Sequence, residues 1–265
     1  MIPVSAILLA GGYATRLYPL TKDQPKALLP LGHGVILDAV LRLLDGVPGL
    51  RRRILVTNHR FAERFRQWQA ERSSARHSAA APMAAASQAQ EIVIIDDGTE
   101  TVNTRLGAIR DLELARINGG AEGDLLVIGT DNLMSWPMAE FVSRAQRHHP
   151  SPSVALWEAP SVKEATQFGV VVMDRTNRMT RFVEKSPTPP SASVALCVYY
   201  FPEPMQGKIA QFLQVGGNPD APGYFIEWLV GNGPVYGVSM DGEWYDIGTH
   251  ESYAQVVKRF GQASA

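Results

Sequence analysis

The chain has 265 residues, of which 45% are hydrophobic, 19% charged and 8% aromatic; this excludes a wholly disordered chain, a collagen-like fibre and a disulfide-stapled mini-protein. With 25 basic and 26 acidic side chains the formal net charge is −1, so no global charge draws it to a nucleic-acid polymer or an anionic membrane, while a local phosphate site stays compatible with the balance. Cys197 is the only cysteine, which rules out an internal disulfide and a thiolate-rich zinc site.

The amino-terminal stretch MIPVSAILLAGGYATRLYPL lacks a basic leader region, and two glycines and an arginine cut its apolar run too early for a membrane span. Val4 to Leu9 reads instead as a buried β-strand, because its apolar residues are continuous and a Gly-Gly break follows. No other stretch approaches 18 apolar residues, which makes the cytoplasm the expected location and no membrane the expected partner. Helical periodicity follows over Ile36 to Leu44, a short strand over Arg53 to Thr57, and a helix over Phe61 to Glu71. From Gln69 to Gln90 the pattern gives way to Ala, Ser and Arg, readable as a helical turn or two or as a mobile surface connection. Glu91 to Ile95 is a third strand, Leu106 to Ile117 a helix, and Leu125 to Gly129 a fourth strand that runs into Asp131.

Beyond about residue 150 the texture changes to short strands: Ser153 to Glu158, Phe168 to Met173, Met179 to Glu184 and Ala195 to Phe201. Gln206 to Val215 and Tyr224 to Val230 read as helices, and Val235 to Ser239 as a returning strand. Tyr253, Val256, Val257 and Phe260 recur at helical spacing in a closing helix. Alternating strands and helices predict an α/β fold with a mostly parallel sheet covered on both faces. In such sheets ligands bind beyond the carboxyl ends of the strands.

The sharpest local feature is LLAGGYATRLYPLTKDQPKALLP, residues 8 to 30. Ala10, Gly11 and Gly12 follow the first strand, where missing side chains let a phosphate approach backbone N–H groups. Thr15 adds a hydroxyl, Arg16 a forked cation and Lys26 a mobile point charge. The segment is neither a Walker A loop nor a complete GxGxxG fingerprint, and by itself it defines only a phosphate cradle. Asp131 in GTDN and Asp246 in WYDIGT each read, taken alone, more often as a strand-end cap or turn residue, and as a pair could offer oxygen ligands to Mg²⁺.

Together these segments resemble the sugar-1-phosphate nucleotidyltransferases (nucleotide-sugar pyrophosphorylases). GGYATRLYPLT followed by Pro25-Lys26 is similar to the family signature GGxGTRLxPLT followed by PK, with Ala14 in place of the usual glycine. Alanine resists positive φ, and a loop with negative φ there would tolerate the methyl group. GTDN resembles the family's GDN segment, RFVEKSPTPP its FxEKP segment, and QFGVV and DAPGYFIEWL its sugar-side segments, so the likeness spans residues 4 to 257. The resemblance implies a Rossmann-like central sheet flanked by helices, with an added acceptor-binding lobe. It implies a single unit over 1–265: a nucleotide-binding part to about residue 150, a sugar-phosphate part over about 151–250, and a closing helix over about 251–261. Arg16 and Lys26 would contact the triphosphate and stabilise departing pyrophosphate, and Asp131 and Asp246 would bind Mg²⁺. The loop residues Ala10, Gly11, Gly12, Ala14 and Thr15 would hold the nucleotide, with Thr99 and Asn103 as candidate hydrogen-bonding residues beside it. Gly169, Glu184 and Lys185 would meet the sugar phosphate, where a strand-end bend could bring the adjacent Glu184 and Lys185 to one ligand.

The implied reaction joins an NTP to a sugar 1-phosphate, giving an NDP-sugar and pyrophosphate. A phosphorylated alcohol such as phosphocholine is an alternative acceptor, taken by a cytidylyltransferase, and a non-catalytic nucleotide-sugar-binding regulatory subunit is an alternative role. Cys197 reads as an apolar filler. Nucleobase, sugar and association into a homo-oligomer are left open by the sequence.

Overall fold

The computed structural model describes residues 2–78 and 91–260. The chain opens with β1 (Val4–Leu9) and continues through a small hairpin, β2 (Pro30–Leu31) and β3 (Gly34–Val35), into α1 (Ile36–Leu43). β4 (Leu50–Thr57), α2 (His59–Ser78), β5 (Ile92–Asp96), α3 (Ala108–Asn118) and β6 (Asp124–Gly129) follow in alternation. Next come β7 (Asn132–Met134), α4 (Met138–Ala145), β8 (Ser153–Glu158), β9 (Gly169–Met173), β10 (Met179–Glu184) and β11 (Ser193–Phe201). The chain closes with α5 (Gly207–Gln214), α6 (Pro222–Gly231), β12 (Tyr236–Ser239), β13 (Trp244–Asp246) and α7 (His250–Phe260).

Nine of these strands form one sheet, with the path β10-β9-β11-β6-β1-β4-β5, β8 also pairing with β11, and β12 pairing with β8. β1, β4, β5 and β6 pair in parallel, which is the Rossmann-like part; β11, β9 and β10 run antiparallel and carry the added lobe. Side-chain alternation explains the two-sided covering. In β1, Val4, Ala6 and Leu8 enter one core with α1, α4 and α7, while Ile7 enters the other with α3, α5 and α6. A strand covered on both faces must be apolar at every position, hence the uninterrupted AILL run.

The predicted strands and helices are all present within a few residues of their expected bounds. Helix α2 starts earlier and runs to Ser78, well past Glu71, since the alanine- and serine-rich stretch keeps adequate helix propensity; the rest of the expected surface connection, residues 79–90, lies outside the described residues. Within α7, Val256 is buried but Val257 faces outward at 39% exposure, so the apolar stripe is narrower than its spacing suggests. Strands β7 and β13 and helix α4 were not anticipated. Three-residue strands are too short to show a period; α4 did carry a signal, since Met138, Phe141, Val142 and Ala145 have i, i+3, i+4, i+7 spacing and are all buried.

A buried polar knot locks β11 beside β6. The Tyr200 hydroxyl donates to Asp124 (2.5 Å), whose other oxygen accepts the Glu203 amide (2.8 Å), and Gln146 donates to the Tyr200 oxygen (3.0 Å). Asp124 is 1% and Tyr200 0% exposed, so loss of the shared acceptor strands buried donors. Replacing Asp124 with alanine is expected to lower unfolding free energy by about 1–3 kcal/mol in a urea titration; an unchanged midpoint would contradict the role given to this knot.

Candidate active site

The first strand delivers its loop to the carboxyl edge of the sheet. Gly11 and Gly12 leave β1, and a short 3-10 turn over Thr15–Leu17 carries Arg16. Ala14 stands in the left-handed region at φ 48°, ψ 42°, so the negative-φ alternative is not the one adopted. The loop keeps its turn in spite of the methyl group, at a cost of about 1–2 kcal/mol relative to ordinary backbone. A hydrogen bond from the Thr21 hydroxyl to the Ala14 carbonyl (2.8 Å) holds it there.

Asp131 and Asp246 are far apart in sequence and neighbours in space. β7 and β13 pair antiparallel with Asp246 opposite Asn132, and the Ile247 amide donates to the Asp131 carbonyl at 2.9 Å. Trp244 Nε1 fixes the same corner by donating to Asn132 Oδ1 at 2.8 Å. Lys26 reaches across from the glycine-rich segment: its Nζ donates to Asp131 Oδ2 at 2.7 Å and to the Ile247 carbonyl at 2.8 Å. The Arg16 guanidinium lies beside Gly248, where a Cβ would come within 3.3 Å of its Nη2 and 3.1 Å of Asp246 Oδ2.

These placements set the charges. Burial pushes the Asp246 carboxyl up to about 6, and Asp131 adds to the rise while Lys26, Arg16 and Lys185 oppose it. Burial also works against ionised Asp131, but the Lys26 ammonium overcomes it and holds that carboxyl below the ordinary aspartate range. The result is a firmly ionised acid next to one that titrates close to neutrality.

Two cavities meet at this corner. The first, of about 370 Å³, is lined by Gly11 to Thr15, Val102, Arg105, Gly107, Ala108 and Asp111. The second, of about 770 Å³, is lined by Arg16, Gly169, Glu184, Lys185 and the rings of Trp157, Phe168, Trp244 and Tyr245. Asp131 and Cys197 line both. Cys197 is partly accessible here rather than wholly interior; burial first, then Asp131, pushes its thiol up to about 12, a poor nucleophile.

Glu184 and Lys185 do share one cavity. Lys185 adopts φ 46° at the end of β10, the bend that breaks strand alternation, and its Nζ lies 3.6 Å from Glu184 Oε1. The Glu184 carboxylate packs over Gly169 and Gly223, at positions any Cβ would occupy. Burial raises its pKa, partly offset by Lys185.

The expected loop after β5 departs from its assignment. Thr99 is buried against the Tyr13 hydroxyl (3.3 Å), and Asn103 sits on the exposed surface. Neither lines the first cavity; Val102 and Arg105 do so from that loop, and Gly107, Ala108 and Asp111 from the start of α3. Ala10 is likewise enclosed behind the lining, with its amide on the Val56 carbonyl (2.9 Å). Sequence reasoning missed Asp111 altogether. Its signal was an acidic residue on the otherwise apolar Ile109–Leu112–Ala115 face of α3, all buried.

The cleft thus consists of two adjoining cavities with cations and carboxylates gathered at their junction. The pattern of the Nucleotidyl transferase family matches residues 5–262, and the chain belongs to that family. It is 24% identical over 250 residues to the mannose-1-phosphate guanylyltransferase catalytic subunit beta of Drosophila melanogaster, covering 94% of this chain. It is 28% identical over 131 residues to the glucose-1-phosphate adenylyltransferase of Fervidobacterium nodosum, covering 49% of this chain and 31% of that one. The chain spans 60% of the Drosophila protein's length and 62% of a Sulfolobus acidocaldarius relative's, about three fifths of the curated relatives it matches. In fold it is similar to the UDP-glucose pyrophosphorylase of Acinetobacter baumannii, with a TM-score of 0.76, 21% identity, and coverage of 100% of this chain and 95% of that one.

Asp111 also has a measurable consequence for stability. It is 6% exposed, and burial, then the charge of neighbouring Asp97, pushes its carboxyl up to about 7. A raised folded-state pKa means the native protein holds the proton more tightly than the unfolded chain does. That contribution is complete below about pH 4 and is lost as pH rises through 7. Asp111→Asn removes the titration, so its stability advantage over the parent is expected to grow from pH 4 to pH 7 and then level off. The plateau should lie on the order of a few kcal/mol, and a pH-independent difference in thermal or urea unfolding would disprove the assignment.

Proposed function

We propose that this protein transfers a nucleotidyl group from an NTP to a sugar 1-phosphate, releasing pyrophosphate and an NDP-sugar. The observation that carries this reading is the meeting of two cavities at Asp131, with Arg16, Lys26 and Asp246 gathered at the junction. A donor in the first cavity and an acceptor in the second would bring their phosphates together there. The relatives' names point the same way, since each joins a nucleotidyl group to a hexose 1-phosphate.

The acceptor phosphate is largely ionised near neutral pH and needs no side-chain base. Alignment and relief of charge repulsion are the tasks left to the protein. Arg16 would grip phosphate oxygens in a fixed fork, and Lys26 would follow the charge that develops on departing pyrophosphate. Lys26 is held between Asp131 and the Ile247 carbonyl, so its ammonium is positioned before the substrate arrives. Glu184, drawn close to the backbone of Gly169 and Gly223, offers acceptor oxygens to sugar hydroxyls, and the neighbouring rings offer apolar faces to the sugar.

Magnesium fits the acidic corner. The described residues hold no cluster of three or more His, Cys, Asp or Glu side chains arranged around one point, but Mg²⁺ commonly takes one or two carboxylates and completes its shell with waters and substrate phosphates. Burial first and then repulsion from Asp131 raise the Asp246 carboxyl, and a divalent cation would relieve the repulsive part. Asp131 and Asp246 would hold the ion, which would neutralise phosphate charge.

The direct test is pyrophosphate release, with Mg²⁺, from five common NTPs crossed with several sugar 1-phosphates and phosphocholine. Phosphocholine belongs in the panel because Trp157, Phe168, Trp244 and Glu184 place rings and a carboxylate in one wall, which also suits a quaternary ammonium. Sugar-phosphate-dependent release is expected; absence of release from every pair would overturn the proposal. Lys26→Ala is expected to lower kcat by about 10²–10³-fold and to lower the melting temperature as well, because Asp131 loses its ion-pair partner; unchanged turnover in the folded variant would remove Lys26 from this role. Asp246→Asn should raise the Mg²⁺ concentration needed for half-maximal turnover, and an unmoved magnesium curve would remove Asp246 from the metal site.

A further inference from the structure

The segment that carries Arg16 and Lys26 has little regular structure of its own. Between β1 and β2 it forms two short 3-10 turns, Thr15–Leu17 and Lys26–Leu28. Leu17, Ala27 and Leu29 are buried and fix the depth at which the segment lies. Apolar burial is non-directional, so the orientation in which the two cations meet a ligand depends on the segment's polar contacts.

Most of those contacts come from one place. The run from Asp246 into the first turn of α7 meets the segment at four points. The Ile247 carbonyl accepts from Lys26 Nζ (2.8 Å), and Gly248 lies beside the Arg16 guanidinium. His250 Nε2 lies 2.9 Å from the Tyr18 carbonyl, and the Tyr253 hydroxyl donates to the Pro30 carbonyl at 2.7 Å. A carbonyl can only accept, so His250 carries a proton on Nε2 in this contact. Tyr18 is two residues beyond Arg16, and Tyr18 and Pro30 bracket Lys26 in the chain. Between Ala14 and Pro30 the other side-chain hold from outside, among the described residues, is Arg60 of α2 on the Lys22 carbonyl and Asp23.

The brace is itself fixed. Ser252 Oγ accepts the Gly248 and Thr249 amides (3.0 and 3.1 Å), and Thr249 Oγ1 accepts the Ser252 amide (3.2 Å). Val256, fully buried, docks the helix into the core.

We propose that His250 and Tyr253 are positioning residues, which hold the segment by its Tyr18 and Pro30 carbonyls so that Arg16 and Lys26 meet the triphosphate in one orientation. Neither side chain lines either cavity, so their effect reaches a ligand through the two cations. A cation already in place stabilises developing charge without reorganising at the moment of reaction. The inference rests on the nucleotidyl-transfer reading, in which those cations handle the triphosphate and the pyrophosphate it releases.

The experiment uses the full chain, with calorimetric binding of inorganic pyrophosphate in Mg²⁺ and with kcat and KM for pyrophosphate release. His250 is exposed and Tyr253 half-buried, so neither change opens the core. Combining His250→Ala with Tyr253→Phe is expected to weaken pyrophosphate binding by about fivefold or more and to lower kcat by about tenfold. The KM for the sugar phosphate should stay within about threefold, since neither residue touches the second cavity. His250→Gln, whose amide can donate to the same carbonyl, should stay within about twofold of the parent in binding and kcat. Unchanged binding and kcat in the folded double variant overturn the proposal, as does a lowered melting temperature with both unchanged. Equal losses in His250→Gln and His250→Ala overturn the hydrogen-bonding role of His250. Weakened pyrophosphate binding in the double variant, with no transfer by the parent, upholds the positioning role and refutes transfer. Failure of the parent to bind pyrophosphate refutes both.

Discussion

Lys26 is the tie on which the cleft depends. Its ammonium joins three segments that the chain visits at widely separated times: the glycine-rich loop that carries it, the Asp131 corner after β6, and the Ile247 carbonyl after β13. Two carboxylates in a partly enclosed corner repel one another, and the β7–β13 ladder leaves them little freedom to separate. One cation between the segments offsets that repulsion and orders the loop against the sheet. The lysine is 17% and the aspartate 32% exposed in their side chains, so their attraction is screened less than a surface pair's would be.

Around that tie, space is created by what is missing. Gly169 and Gly223 let Glu184 sink against the backbone, turning a charged strand-end residue into a buried acceptor on the cleft wall. Gly11 makes the same allowance for Asp111. In both cases an acidic side chain is kept out of bulk water, at an electrostatic cost that packing elsewhere must absorb. The left-handed Ala14 is a further local cost in the same loop. Such concentrations of unfavourable terms are stable only on a well-buried scaffold, and here the two cores on either side of the sheet supply it.

The added lobe gains its position from β11. Its carboxyl half pairs with β6 through Val198 to Phe201, while its amino half meets β9 at Val194. The pairing with β8 shifts register between Ala195 and Tyr199. Cys197 falls in that irregular interval and opens onto both cavities. One strand therefore borders the parallel strands at one end and the added lobe at the other, which is how the two cavities come to share a wall.

Much of the scaffold could be read directly from residue order. The continuous apolar run of β1, the Gly-Gly break after it and the helical stripes that follow are local patterns, set by periods of 2 and 3.6 that need no partner to be seen. The loop chemistry of Arg16 and Lys26 was legible for the same reason, as were Asp131 and Asp246 as acids next to short apolar runs. Their convergence was not, because it rests on two three-residue strands whose pairing carries no period of its own. Nor was the position of Asp111 in the wall of the first cavity, with Thr99 and Asn103 outside it, since a lone acid on an apolar helix face declares its surroundings only once the sheet and loop are packed against it. Sequence alone determined most of the longer elements and which charged groups are on hand; tertiary structure decided which of those groups face one another, because burial and ion pairing depend on distances that chain order does not contain.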